Sequence, residues 1–256
     1  MIEWEIEDGI GLLRLARPPM NALNLDLLQA LETALVDAEA SPARAVVLTG
    51  RGEAFSAGAD LFEVLEQGSD YIDAAGRSLS SCFAALFRFP RPMVAAVNGH
   101  AIAGGCILAS ACDRRVGATG DYRIGVTELM VGVPFPTWAL EIMRFAVTGS
   151  ALQELVLLGR TYPPERSLEL GLLDELVEPD ALLERAVEMA NRLARIPTET
   201  FALTKRSLRA PVEALVAARA GADDDRIRAL WDSPEVRDSI RAFLVKVFGT
   251  DRRATR

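Results

Sequence analysis

Two segments of this chain carry residues whose types and spacing suit one task, the stabilisation of negative charge developing on an oxygen. The first is Val97-Asn98-Gly99-His100-Ala101-Ile102-Ala103-Gly104-Gly105-Cys106-Ile107-Leu108-Ala109. It reads as a buried strand ending at Val97, a turn of small residues, and a helix whose first turn holds Gly104 and Gly105. Adjacent glycines at a helix start leave backbone N–H groups bare, with no Cβ to crowd an approaching atom. The second is Val46-Val47-Leu48-Thr49-Gly50-Arg51-Gly52-Glu53-Ala54-Phe55-Ser56-Ala57-Gly58-Ala59-Asp60-Leu61. A β-branched run closes on a glycine turn, and the chain resumes as the tight Ala57-Gly58-Ala59-Asp60. With the two turns facing one another, one N–H from each makes a two-donor oxyanion hole for a carbonyl that becomes an enolate or alkoxide. The competing reading of a lone Gly-Gly pair is close packing of a helix.

Order and spacing decide between them. Phe55 to Leu61 follows one strand, Val97 to Cys106 follows another, and Thr127-Glu128-Leu129-Met130-Val131-Gly132 comes next. Together these segments resemble the crotonase superfamily, the enoyl-CoA hydratases and isomerases, and the likeness spans nearly the whole chain. The resemblance implies that Ala59 and Gly104 donate their N–H groups to the thioester oxygen of an acyl-CoA. It also implies that the backbone from Met20 to Leu23 lies along the CoA moiety. Met20, Ala22 and Leu23, with Ala57, Asp60 and Leu61, are therefore the expected cofactor contacts, and nothing beyond that CoA is expected as cofactor. For Asp60 a cap on the following helix is a sufficient role by itself.

Hydration of an enoyl thioester needs one group to deprotonate water and another to manage the proton at C2. The hydratases of the family use two glutamates, matching residues 107 and 128 of this chain. Here the second is Glu128 and the first is Ile107. A hydrocarbon cannot polarise water, so half of the two-carboxylate equipment is gone. One glutamate beside an oxyanion hole is what the family's Δ3-Δ2 enoyl-CoA isomerases use. Glu128 is accordingly assigned as general base and acid, with Ala59 and Gly104 holding the enolate. A hydratase or other enolate-type CoA enzyme is the alternative, and a non-catalytic acyl-CoA binder the reading from a different class. The dienoyl-CoA isomerases place an aspartate where Pro136 stands. His100, the sole histidine, reads as structural, and a metal site is not expected.

The elements that position these residues follow from pattern. Trp4 to Glu7 and Ile10 to Leu15 flank Asp8-Gly9, a strong hairpin signal. The loop Arg17-Pro18-Pro19-Met20-Asn21-Ala22-Leu23 has two prolines that exclude regular helix. Leu27, Leu28, Leu31 and Leu35 repeat at helical spacing over Leu25 to Glu39. Strands are expected at Ala45 to Thr49, Asp113 to Ala118 and Tyr122 to Gly125, and a helix over Tyr71 to Phe89. Glu63 to Asp73 is polar and acidic and is expected to be the least ordered internal stretch. Beyond Pro134 helices dominate: Trp138 to Ala146, Ala151 to Leu158, Pro164 to Leu170 and Asp180 to Arg195. Thr198 to Arg209 and Val212 to Trp231 complete the set. Periodicity alone yields α/β; the resemblance sharpens this to a spiral of ββα units over residues 1–196 and a helical C-terminal trimerisation region over residues 197–256. A homotrimer or a dimer of trimers is implied.

Composition sets the outer bounds. With 256 residues, half of them hydrophobic and a quarter charged, the chain has the make-up of an ordinary globular domain with a sizeable core. A net charge of −8 argues against a nucleic-acid surface. It leaves room for a local basic patch for CoA phosphates, with Arg17, Arg51, Arg91 and Lys205 on hand. Cys82, Cys106 and Cys112 lack metal or redox spacing and read as reduced core thiols of a cytoplasmic protein. No secretory leader and no apolar run of membrane-spanning length is visible, so no membrane partner is expected.

Overall fold

The computed structural model describes residues 1–147 and 149–250. The chain opens with a hairpin of β1 (Ile2–Glu7) and β2 (Ile10–Leu15), paired antiparallel. Asp8 and Gly9 both take positive φ, 49° and 78°, the twist a two-residue hairpin turn demands. Helix α1 (Leu25–Ala40) starts at Asn24, whose side chain accepts the Leu27 N–H at 3.0 Å.

Three successive units then each give one strand to each of two sheets. They are β3 (Ala45–Gly50), β4 (Ala54–Ser56) and α2 (Leu61–Glu66), followed by α3 (Ser69–Arg88); β5 (Met93–Val97), β6 (His100–Ile102) and α4 (Gly104–Ala111); and β7 (Arg114–Ala118), β8 (Ile124–Gly125) and α5 (Glu128–Val131). The larger sheet has the order β1-β2-β3-β5-β7-β10 and is parallel from β2 onward. The smaller has the order β4-β6-β8-β9, with β4, β6 and β8 parallel. This is the spiral of ββα units that the resemblance implied. Strands β3 and β5 are buried along their whole length, as continuous apolar runs in a covered parallel sheet should be.

The second half continues with α6 (Thr137–Ala146), α7 (Gly149–Leu158), β9 (Thr161–Tyr162), α8 (Pro164–Glu169), β10 (Glu175–Val177), a 3₁₀ turn at Pro179–Ala181 and α9 (Leu182–Leu193). It ends with α10 (Thr198–Trp231) and α11 (Pro234–Phe248). Several expectations are corrected here. His100–Ile102 is a strand rather than part of a turn, because it pairs with β4 on one side and β8 on the other. Glu63 to Asp73 holds the end of α2 and the start of α3, with the break between them at Gln67 and Gly68. Pro211 does not divide the C-terminal helix. Val212 and Val216 seat the helix beyond it on the main core, and the buried cations Lys205 and Arg209 anchor the turns before it on the half-buried carboxylate of Asp113. Helix α11 falls within the helical C-terminal region expected over residues 197–256, of which 251–256 lie outside the described residues, although its bounds were not read from the sequence. Its Val236, Ile240 and Leu244 form a second, smaller core with Val64 of α2 and Val131 of α5.

Candidate active site

Each of the three units ends a small-sheet strand and begins a helix, and the three junctions meet at one cavity. Its volume is about 90 Å³, and Ala57 and Ala59 after β4, Gly104 after β6, and Glu128 after β8 all line it. Because β4, β6 and β8 run parallel, the N-terminal ends of α2, α4 and α5 converge, which concentrates unpaired N–H donors there.

The first junction is held by Asn21. This buried residue takes φ 48°, tolerable for asparagine, and its side chain donates to the carbonyls of Arg51 at 3.0 Å and Ala54 at 2.8 Å. Its own carbonyl accepts from Ser56 Oγ at 2.8 Å. The loop thus lies against the second segment. Ala57 N–H donates to the Met20 carbonyl, and Leu23 bridges to the residues on either side of Ala59, its N–H to Gly58 O at 2.8 Å and its carbonyl from Asp60 N at 3.0 Å. In such a one-residue parallel bridge the central residue's N–H points to the opposite side. The Ala59 N–H accordingly meets no backbone or side-chain acceptor among the described residues.

The second junction is packed against the first. Gly58 sits at φ 79°, and a Cβ there would lie 2.7 Å from Ile102 O and 3.0 Å from Gly104 N. A Cβ on Gly105 would stand 2.1 Å from Ser56 O, so only glycine lets α4 start this close to β4. Ala103, at φ 51° and ψ −122°, turns the chain into the helix, where the first closed bond runs from Ile107 N to Ala103 O at 3.1 Å. The Gly104 N–H is left without an acceptor among the described residues.

Glu128 opens α5 and is only 6% exposed. Its Oε2 is buried and has no hydrogen-bond partner. Burial pushes the carboxyl up to about 7, and backbone hydrogen bonding at Glu128 and Thr127 opposes this only in part. Among the described residues Glu128 is the one ionisable side chain on the cavity wall. Ile107 of α4 lines the same cavity and is 1% exposed. The far end of the chain closes it with Trp231 of α10 and Phe243 of α11.

Of the expected site residues, Ala57, Ala59, Leu61, Gly104 and Glu128 share this cavity, whereas Met20, Ala22 and Leu23 do not line it. Met20 and Leu23 instead hold the second segment through their backbones, and the Ala22 carbonyl accepts from Arg17 at 2.9 Å. Asp60 caps α2 through Glu63 N and pairs with Arg17 at 2.8 Å, so its carboxylate serves the scaffold. None of the four basic candidates stands apart from the framework. Arg17 also reaches Glu63, Arg51 pairs with Glu3, Arg91 donates to the carbonyls of Ala38, Glu39, Ser41 and Ala43 that end α1, and Lys205 pairs with Asp113. His100 Nδ1 accepts the Arg123 N–H at 3.2 Å and lies outside the cavity wall. Sequence reading passed over Asn21 as a positioning residue, although its place after Pro18-Pro19-Met20 in a turn was a signal, and it had none for Trp231 or Phe243.

A family model described as enoyl-CoA hydratase/isomerase matches residues 5–248. A putative enoyl-CoA hydratase of Thermus thermophilus is 37% identical over 236 residues, covering 88% of this chain and 90% of that protein. The mitochondrial enoyl-CoA delta isomerase 1 of Rattus norvegicus is 28% identical over 250 residues, covering 96% of this chain and 86% of that one. Among solved structures, human mitochondrial delta3-delta2-enoyl-CoA isomerase superposes with a TM-score of 0.91 at 25% identity, covering 96% of this chain and 97% of its own.

Proposed function

This chain belongs to the enoyl-CoA hydratase/isomerase family, and we propose that within it the chain shifts the double bond of a 3-enoyl-CoA to the 2-position. The Glu128 carboxylate takes a proton from C2, and the electron pair delocalises onto the thioester oxygen. The N–H groups of Ala59 and Gly104 hold that oxyanion. Glu128 then returns the proton at C4, leaving the double bond between C2 and C3 with no atom gained or lost.

The observation that carries this reading is the wall of the cavity, with one carboxyl, Glu128, and a buried hydrocarbon at residue 107. Hydration asks for a second group to hold water, and Ile107 supplies none. A carboxyl held near 7 is matched to both taking and returning a proton at neutral pH. Apolar walls from Ile107, Trp231 and Phe243 favour proton return over capture of water.

The reading brings with it an acyl-CoA thioester as partner and its CoA as the one cofactor, a place in fatty acid metabolism, and a cytoplasmic enzyme. Among the described residues no helix is long and apolar enough to cross a membrane. It also brings assembly as a homotrimer or a dimer of trimers. Leu129 and Met130 on α5 and Leu157 and Leu158 on α7 expose apolar side chains suited to contact between copies. The test is to incubate the protein with a 3-enoyl-CoA and, separately, a 2-enoyl-CoA, and to follow each by chromatography and mass. Conversion of the first at unchanged mass is expected. A gain of one water on the second makes the chain a hydratase, and binding of both without change makes it a binder.

A further inference from the structure

A second cavity, of about 60 Å³, adjoins the one at Glu128: Ala59, Leu79, Pro136 and Trp231 belong to the walls of both. It runs between α3 and α10, away from Glu128, and is lined beyond the shared residues by Ile72, Ala75 and Gly76 on one side and Ile227 and Arg228 on the other. Most polar groups on its wall are turned to partners of their own, Asp60 to Arg17 at 2.8 Å among them. Tyr71 donates to Glu63 at 2.7 Å, Asp224 accepts from Thr137 N and Oγ1 at 3.0 and 2.8 Å, and Arg228 pairs with Asp73 at 2.8 Å. Apart from Ser80, what the chamber presents to an occupant is hydrocarbon, including the aliphatic stem of Arg228.

Gly76 stands out on that wall. It lies inside the 20-residue helix α3, where glycine is unfavourable relative to alanine. No positive φ and no backbone clash requires it, because a Cβ there would meet only Arg228 Cγ and Cδ, at 3.7 and 3.8 Å. The missing side chain is room in the chamber.

We propose that the chamber between α3 and α10 receives the tail of the acyl chain, which passes Ala59 and Pro136 to reach it, and that Gly76 sets how long a tail fits. The inference rests on the acyl-CoA reading above. A thioester whose reacting carbons lie at Glu128 has the rest of its chain still to bury, and the adjoining chamber is mainly apolar and shares Ala59, Leu79, Pro136 and Trp231 with the site. A side chain longer than a methyl on Gly76 projects toward Arg228 and shortens it.

The experiment is calorimetric titration of the full chain with saturated acyl-CoAs from butyryl to dodecanoyl, which bind without turnover. Wild-type affinity is expected to climb with chain length beyond butyryl. Gly76→Leu should weaken the longer chains by about tenfold or more, the cost of a methylene-scale misfit, and leave butyryl-CoA within about twofold. Gly76→Ala, whose methyl makes only ordinary contact, should keep the wild-type profile, and Ala75→Leu repeats the block from the neighbouring position should Gly76→Leu fail to fold. A wild-type profile flat beyond butyryl, or an equal loss at every length, overturns the proposal while leaving double-bond isomerisation standing. If no acyl-CoA binds, the functional reading falls and the proposal with it.

Discussion

Ile107 and Glu128 line one cavity from two different helices, Ile107 from the first full turn of α4 and Glu128 from the first residue of α5. Both side chains are more than nine-tenths buried. The pairing of a hydrocarbon with an unpartnered carboxyl fixes the chemistry available, because the carboxyl faces neither a second acid nor a cation that would hold it ionised.

The stability of the protein should carry the mark of that carboxyl. Its folded pKa is raised from 4.5 to about 7, so the native state binds the proton more tightly than the unfolded chain does. Stability from this group is complete below about pH 4.5 and is lost as pH rises through 7, about 3 kcal/mol in all at roughly 1.4 kcal/mol per unit. Glu128→Gln should remove this component, seen as a flatter dependence of urea midpoint on pH between 5 and 8 (about that window). An unchanged slope would place the Glu128 carboxyl in contact with water.

Turnover should have the opposite trend. The base must be ionised to remove the C2 proton, so kcat/KM for a 3-enoyl-CoA should rise with pH and level off above about 7. Glu128→Gln should cost on the order of 10² to 10⁴ in kcat with acyl-CoA binding retained. Full activity in this variant, measured by stopped assay and mass, would move the base elsewhere.

Two adjacent glycines should respond differently to alanine. A Cβ on Gly105 would come within 2.1 Å of Ser56 O, a backbone atom that cannot move aside, so Gly105→Ala should lose about 2–3 kcal/mol of stability. On Gly104 the nearest atom is Leu23 Cδ1 at 3.1 Å, the end of a side chain, and Gly104→Ala should stay within about 1 kcal/mol. Equal denaturation midpoints for the two variants would contradict the approach of α4 to β4 described above.

Asp113 should matter more to stability than any carboxylate at the surface. It accepts from Lys205 at 2.7 Å and from Arg209 at 2.9 Å, both buried, and from Met93 N–H at 2.8 Å, and so fastens α10 to the start of β5. Asp113→Ala strands two buried cations and should cost about 3–5 kcal/mol by chemical denaturation. Glu213, paired with Arg88 at the surface, should cost at most about 1 kcal/mol when changed to alanine.

Much of this was local and therefore legible. The Leu27, Leu28, Leu31 and Leu35 spacing marked α1, Asp8-Gly9 marked the hairpin, and Asp60 was read as the cap it is. The pairing of Ala59 with Gly104, and the choice of Glu128, came from ordered motifs whose likeness to the family spans the chain. Other features have no local signature. Three-residue β6 exists because β4 and β8 flank it, and α10 runs through Pro211 because Asp113, distant in sequence, holds its side chains.

The sequence by itself determined which groups are present at the three strand-to-helix junctions: two bare N–H donors, one glutamate and one isoleucine in place of a second acid. Only the tertiary structure decided that the parallel strands β4, β6 and β8 bring those junctions to one cavity, and that Trp231 and Phe243 close it. The reason is that the pKa of a carboxyl and the strength of an oxyanion donor depend on how much water is excluded around them. That exclusion is the work of side chains more than a hundred residues away, whose arrival no local pattern records.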